Sequence, residues 1–368
     1  MGGYLYTEEL TVGYNGRPLL REVTLSVRRG EIVTLIGPNG AGKSTILKSL
    51  SRQLSPLAGR VVLNEKPLEQ MGELELARQL ALVTTERVDP ELMTCWDVVS
   101  TGRYPYTGRL GILSRKDRQV VSDSLVQVHA DELAEQRFAR ISDGQRQRVM
   151  LARAICQQPD VILLDEPTSF LDIRHKLELL EILKELVRRQ NLAAVLSLHE
   201  LDLAQKISDT VVCVRGDAIG PVGPPEDIFV PEVISQLYDL PEGCYNTLFA
   251  GAELAPVQGV PRVFVIGGGG SGIPVYRLLQ RRGIPFAAGV LQQNDLDYPV
   301  AKALAAELVE EGAYQPVSPA AQESARTLMS SCERVVCTLT SFGPGNAGNQ
   351  ALWQEAGREG KQADWRSL

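Results

Sequence analysis

The chain alternates short apolar runs with longer amphipathic stretches. Residues 5–27 alternate apolar and polar positions, the period of half-buried strands. The mostly apolar run at 31–36 predicts a buried strand, followed by a Gly-rich turn and a helix from about 43 to 54. Residues 87–136 read as mostly helical. Beyond them come a helix at 145–157, a strand at 161–164, a helix at 174–190, a strand at 193–198, a helix at 200–208 and a strand at 210–214. Strands alternating with helices predict an α/β fold with a largely parallel sheet covered on both faces. Between 216 and 261 prolines cluster, which predicts a closing hairpin, a short helix and a linker at 251–259. A second β–α alternation starts at Arg262. The expected organisation is a first domain over 1–250, with a helical subdomain at about 87–145, and a small Rossmann-like α/β domain over 260–368.

Composition narrows the classes. Length, 368 residues, fits two domains, and a 44% apolar share suffices for real cores. A net charge of −7 gives nucleic acid no electrostatic help, so no nucleic-acid partner is expected. No stretch approaches the roughly 20 apolar residues of a membrane helix, and residues 1–10 lack a signal-peptide pattern. The chain is therefore expected in the cytoplasm, peripheral on the inner face of the cell membrane through a partner. Six scattered cysteines form no CxxC pair, so reduced thiols are expected.

Two segments carry phosphate chemistry. Gly37-Pro38-Asn39-Gly40-Ala41-Gly42-Lys43-Ser44 fits G-x-x-x-x-G-K-[ST] between a strand and a helix. Glycines let the chain curl so that backbone N–H groups face a phosphate, and the helix N-terminus adds a favourable dipole. Lys43 is placed to meet the β- and γ-phosphates, Ser44 to ligate Mg²⁺, and Thr45 to reach the α-phosphate. The strand 161–164 ends in Asp165 and Glu166. Parallel strands deliver ligands at their carboxyl ends, and alternating side chains give two neighbouring acids different directions. Asp165 is expected to hold Mg²⁺ and Glu166 to act as general base. A plain strand-to-turn transition before Pro167 is the bland alternative for the acid pair.

Ile141-Ser142-Asp143-Gly144-Gln145, just ahead of a helix and about 20 residues before the acid pair, resembles the LSGGQ signature of ABC ATPases. Tyr14 matches that family's adenine-stacking aromatic, Asp172 its loop after the acids, and His199 its switch histidine. The resemblance covers roughly residues 4–245. It implies an ATP-hydrolysing homodimer in which Ser142, Gly144 and Gln145 of one copy close on the γ-phosphate held by the other. One departure is Thr85, where the family usually carries glutamine. Its shorter side chain is expected to couple the nucleotide to the helical subdomain through water.

The segment Trp96 to Gly108, with Gly102-Arg103-Tyr104-Pro105, resembles the stretch found in ATPases of importers for ferric siderophores, haem and cobalamin. The resemblance implies a separate membrane permease as partner and, indirectly, a substrate-binding protein. The rival classes are a soluble ABC ATPase without transport and a ligand-sensing module without catalysis. The first wants basic patches or paired ATPase domains, and the second conflicts with the presence of Lys43, Asp165, Glu166 and His199.

In the second domain, a strand at 262–266 runs into Gly267-Gly268-Gly269-Gly270-Ser271-Gly272, which satisfies G-x-G-x-x-G. The second strand, at 284–291, ends in Gln292, Gln293 and Asn294, so the ribose-binding acid of a dinucleotide fold is missing and Asp295 and Asp297 come late. A second glycine-rich loop follows the strand at 334–339. If the first and fourth strands are neighbours, both loops face one crevice. A small-molecule or anion sensor lined by Gly269, Ser271, Asn346 and Asn349 is the expectation, against a purely structural or dimer-contact domain.

Overall fold

The computed structural model describes residues 3–84, 90–108, 111–241 and 243–368. The chain divides into two compact units, Met1–Tyr238 and Asp239–Leu368. That boundary lies ahead of the expected residue 250. The hairpin Tyr245–Asn246 with Gly251–Ala252 belongs to the second unit, where Glu253 also pairs with Arg277.

The first unit is built on two sheets. Its central sheet runs in the order Ala218–Gly223, Thr210–Arg215, Ile32–Ile36, Ala193–Ser197, Val161–Leu164, Leu80–Val83. All neighbours are parallel except the closing hairpin of the first two. Ile32–Ile36, Val161–Leu164 and Ala193–Ser197 are buried throughout, as strands covered on both faces must be, which is why they read as largely apolar runs, with Thr34 and Ser197 the polar exceptions. The second sheet is antiparallel and pairs Leu5–Tyr14 with Arg17–Val23 and with Ala58–Leu63. Leu5, Leu10 and Val12 are fully buried against Ile46, Leu47 and Leu50 of the helix after the glycine loop.

Helix ends follow their local chemistry. Ile173–Gln190 starts at Asp172, whose carboxylate accepts the His175 N–H at 3.0 Å, and stops at Asn191 in the left-handed region, φ 55°. Between the parallel strands Leu80–Val83 and Val161–Leu164 lies the helical subdomain, with helices Cys95–Ser100, Tyr104–Thr107, Arg115–Gln127 and Asp143–Cys156. The stretch expected to be mostly helical carries a 3-10 turn at Thr101–Arg103, which ends in a buried arginine. Arg103, 3% exposed, donates to Asp117 Oδ1 at 2.9 Å and to Cys156 O at 2.8 Å.

The second unit carries a parallel sheet in the order Glu307–Glu311, Phe286–Gln292, Val263–Ile266, Arg334–Cys337. The first and fourth strands in sequence are therefore neighbours, as a Rossmann-like arrangement requires. Phe264, Phe286 and Tyr276 are fully buried in it. Among the described residues no helix is long and apolar enough to cross a membrane.

Candidate functional site

The strand Ile32–Ile36 delivers the glycine loop and the helix Lys43–Leu50 rises from it. Gly37 has φ 149°, and a Cβ on it would stand 2.1 Å from Val214 O; Gly42 has φ 100° and would drive a Cβ into Leu20 at 2.7 Å. Only glycine meets both conditions. The adjacent strand Ala193–Ser197 and its neighbour Val161–Leu164 end at the same edge of the sheet, bringing His199 and the acids to the loop. The result is a cleft of about 410 Å³ lined by Leu19, Asn39, Gly40, Gly42, Lys43, Ser44, Thr45, Glu166 and His199.

Within it, Lys43 is 5% exposed and donates from Nζ to Gly37 O at 2.7 Å and Pro38 O at 3.0 Å. Burial pushes its ammonium below the usual lysine range, against the opposing pull of Glu166 and Asp165. Asp165 lies just behind the cleft, 8% exposed, and its Oδ1 accepts from Ser44 Oγ at 2.9 Å and from Ser197 Oγ at 2.8 Å. Glu166 has φ 45°; its Oε1 meets His199 Nε2 at 2.5 Å and its Oε2 accepts from Ser169 Oγ at 3.0 Å. A buried cation, a carboxylate held by a histidine and a hydroxyl–carboxylate pair thus surround one glycine cradle. Ser44 and Asp165 offer hard oxygen donors side by side, a donor set that suits Mg²⁺.

The other expected residues fall into separate groups. Tyr14 is 48% exposed, touches Thr45 Oγ1 at 3.3 Å, and lines a neighbouring hollow with Asn15, Arg17, Pro18 and Leu19, the last shared with the cleft. Gly37 lies at the loop's entry, where its N–H donates to Tyr238 OH. Ser142, Gly144, Gln145 and Asp172 do not line the cleft of their own chain. Ser142 and Gln145 form a capping box at the start of Asp143–Cys156, with Gln145 Oε1 accepting the Ser142 N–H at 2.9 Å. Gly144 lies so close to the His175 ring that a Cβ would stand 2.7 Å from it, and His175 Nδ1 is 2.9 Å from Asp172 Oδ2. The backbone N–H of His175 is the chief cause that holds the Asp172 carboxyl below its usual range. His175 is thus the link between the signature segment and the loop after the acids. It went unnoticed in the sequence because a histidine inside a helix carries no signal. Thr85 lies outside the described residues.

The second unit corrects one expectation. Its crevice, about 160 Å³, is lined by Gly267, Gly268, Val290, Gln292, Asp295, Val317, Gly345, Asn346 and Asn349. Gly269 and Ser271 are not part of that lining. The N–H of Gly269 donates to Asp295, those of Gly272 and Ile273 donate to Asp297, and Ser271 Oγ bonds to Gly268 O and Thr338 Oγ1. The cradle is filled by the protein's own carboxylates, and among the described residues no cation lines it, so an anion has no counter-charge there. Asn349 spends its amide on Val290 N and O.

Comparison with known proteins agrees with the first unit's geometry. The family model described as ABC transporter matches residues 20–169, and that of the MJ0874 family matches residues 286–363. An uncharacterized ABC transporter ATP-binding protein, MJ0873 of Methanocaldococcus jannaschii, is 42% identical over 78% of this chain and 99% of its own length. The iron(3+)-hydroxamate import ATP-binding protein FhuC of Bacillus subtilis is 35% identical over 64% of this chain and 88% of its own. The cobalamin import ATP-binding protein BtuD of Halobacterium salinarum is 32% identical over 80% and 75%. A solved structure of a metal-chelate type ABC transporter, in an inward-facing conformation, aligns with a TM-score of 0.58 at 26% identity, covering 65% of this chain and 90% of that one. With a phosphate cradle, a buried lysine and an acid–histidine pair in one cleft, and with a relative 42% identical matched over 99% of its own length, the chain belongs to the family of ABC transporter ATP-binding proteins and is an ATPase.

Proposed function

We propose that two copies of this chain hydrolyse Mg-ATP in sites shared between them and power uptake of a metal-chelate substrate, an iron–siderophore, haem or cobalamin, through a separate membrane permease. The reading places the chain on the cytoplasmic face of the membrane, with a substrate-binding protein acting indirectly from the other side. The observation that carries it is the meeting of Lys43, Glu166 and His199 around the glycine loop. Relatives named for import of iron(3+)-hydroxamate and cobalamin support the substrate class.

In this account Lys43 leaves the Gly37 and Pro38 carbonyls for the β- and γ-phosphates, and the loop N–H groups hold the phosphate oxygens. Tyr14, beside Thr45, offers its ring to the adenine. Glu166 takes a proton from water as that water attacks the γ-phosphorus and the bond to the bridging oxygen breaks, giving ADP and phosphate. His199 holds Glu166 and faces the same phosphate. Ser44 and Asp165 would hold the Mg²⁺, which neutralises phosphate charge. Ser142 and Gly144 do not line the cleft of their own chain, and in this account those of a second copy cap the γ-phosphate. ATP binding closes the pair, and phosphate release reopens it.

The test is ATP-dependent uptake of ferric siderophore, haem and cobalamin by the chain reconstituted with its permease. Uptake of one of these supports the reading. ATP hydrolysis without uptake of any favours the alternatives, an ABC ATPase for another substrate or a soluble, non-transport one with a ligand-sensing second domain.

A further inference from the structure

We propose that Ser197 is a positioning residue of the ATP site, whose hydroxyl locks the Asp165 carboxylate and the Glu166 backbone into one unit and thereby sets the site's affinity for a divalent cation. The inference rests on the ATPase reading above and names a residue that the family motifs do not include.

Ser197 ends the strand Ala193–Ser197, which lies in the sheet between the strand that leads to the glycine loop and the strand that leads to the acids. It is the one polar residue of that strand and it is fully buried. A hydroxyl taken out of water is costly unless it finds partners. Both of its partners here belong to the acid pair: it accepts the Glu166 N–H at 2.9 Å and donates to Asp165 Oδ1 at 2.8 Å. The direction is fixed by the inventory of atoms. The amide of Glu166 can only donate, so the single hydroxyl proton must point at Asp165.

This placement acts on both acids. Asp165 Oδ1 accepts a second hydrogen bond from Ser44 Oγ at 2.9 Å, so the rotation of this carboxylate is set from both sides, by the loop and by the neighbouring strand. Glu166 adopts φ 45°, a left-handed conformation that an L-residue keeps only when its surroundings hold it. The Ser197 hydroxyl takes the amide of that residue and holds it there. Groups that orient a metal ligand without touching the metal typically change affinity 10- to 100-fold when removed.

The experiment measures Mn²⁺ binding to the full chain with a non-hydrolysable ATP analogue, by electron paramagnetic resonance. Nucleotide binding in excess EDTA is measured alongside. Ser197→Ala is expected to weaken Mn²⁺ about tenfold and to leave metal-free nucleotide affinity unchanged. Equal Mn²⁺ affinity in the variant and the wild type overturns the inference. Should the alanine variant not fold, Ser197→Thr and Ser197→Val form a matched pair that differs chiefly in the hydroxyl. Tighter Mn²⁺ binding by the threonine variant supports the role, and equal binding overturns it. A wild type that binds nucleotide in neither condition overturns the ATPase reading itself, a result distinct from failure of Ser197 alone.

Discussion

Arg103 and Asp117 form an ion pair at 2.9 Å inside the helical subdomain, with side chains 3% and 10% exposed. The same guanidinium binds Cys156 O, at the end of the helix that starts from Ser142, and stacks on Tyr106 at 3.8 Å. Asp117 also caps its own helix by accepting from Ser114. The resemblance in the Gly-Arg-Tyr-Pro segment therefore has a physical content: it ties this segment to the far end of the signature helix. Asp117→Asn leaves a buried guanidinium without its counter-charge. It is expected to lower unfolding stability by about 3 kcal/mol in urea titration, and unchanged stability would contradict the role.

The pH dependence has a definite sign. The Ser114 hydroxyl first, then the Ser114 backbone N–H and Arg103, hold the Asp117 carboxyl below its ordinary value of 3.8 against the opposing effect of burial. A depressed folded-state value means that the pair contributes fully above the ordinary value and loses its contribution as pH falls through the lower, folded one. Acid titration of wild type should therefore show loss of helical-subdomain stability in that window, and Asp117→Asn should flatten it.

Gly102 approaches the signature helix so closely that a Cβ would stand 2.3 Å from Arg153 O. Backbone does not yield as a side-chain tip does, so Gly102→Ala must displace the segment. A destabilisation of about 1–3 kcal/mol is expected from such overpacking. Thermal unfolding indistinguishable from wild type would count against the packing.

Lys43→Ala and Glu166→Gln should separate binding from chemistry. Lys43 is the buried cation at the cradle and its loss should abolish ATP affinity. Glu166→Gln keeps shape and the loop contacts but removes the base. It should retain nucleotide binding while kcat falls about 10²- to 10⁴-fold. Full turnover in Glu166→Gln would remove this residue from the reaction.

In the second unit the glycine cradle is sealed from within. Asp297 is fully buried, and burial pushes its carboxyl above the usual range while the N–H groups of Gly272 and Ile273 oppose the shift. Asp297→Ala strands those donors, at a cost of about 1–3 kcal/mol for each buried group left unpaired. Calorimetric titration of wild type with NAD, ATP and inorganic phosphate should give no heat assignable to this crevice. Binding seen as altered exchange of the Gly269, Gly272 and Ile273 amides, which donate to Asp295 and Asp297, would contradict the sealed cradle.

Much of the architecture was legible in the sequence, for physical reasons. The buried strands stand out because a parallel sheet covered on both faces is largely apolar, and Val161–Leu164 falls where expected to the residue. The glycine loop and the acids could be placed because their chemistry demands particular residue types at fixed spacing. Ser197 could not be singled out, since a serine ending an apolar strand is silent until its neighbours in the sheet are known. Asp295 and Asp297 come too late for a ribose-binding acid, and their actual partners are the loop's own N–H groups, which spacing alone does not reveal. The unit boundary falls at Tyr238 and not at 250 because Tyr245–Asn246 pairs with Gly251–Ala252, at the start of the expected linker 251–259, in a hairpin of the second unit.

If one ATP is gripped by two copies of the chain, the Glu166→Gln variant should pair in the presence of ATP and Mg²⁺, and sedimentation equilibrium reads its mass. The expected species has twice the chain mass and returns to the single chain when Ser142 is replaced by arginine, which blocks the γ-phosphate from the partner's side. A monomer in saturating ATP, or a dimer indifferent to the Ser142 substitution, would contradict it.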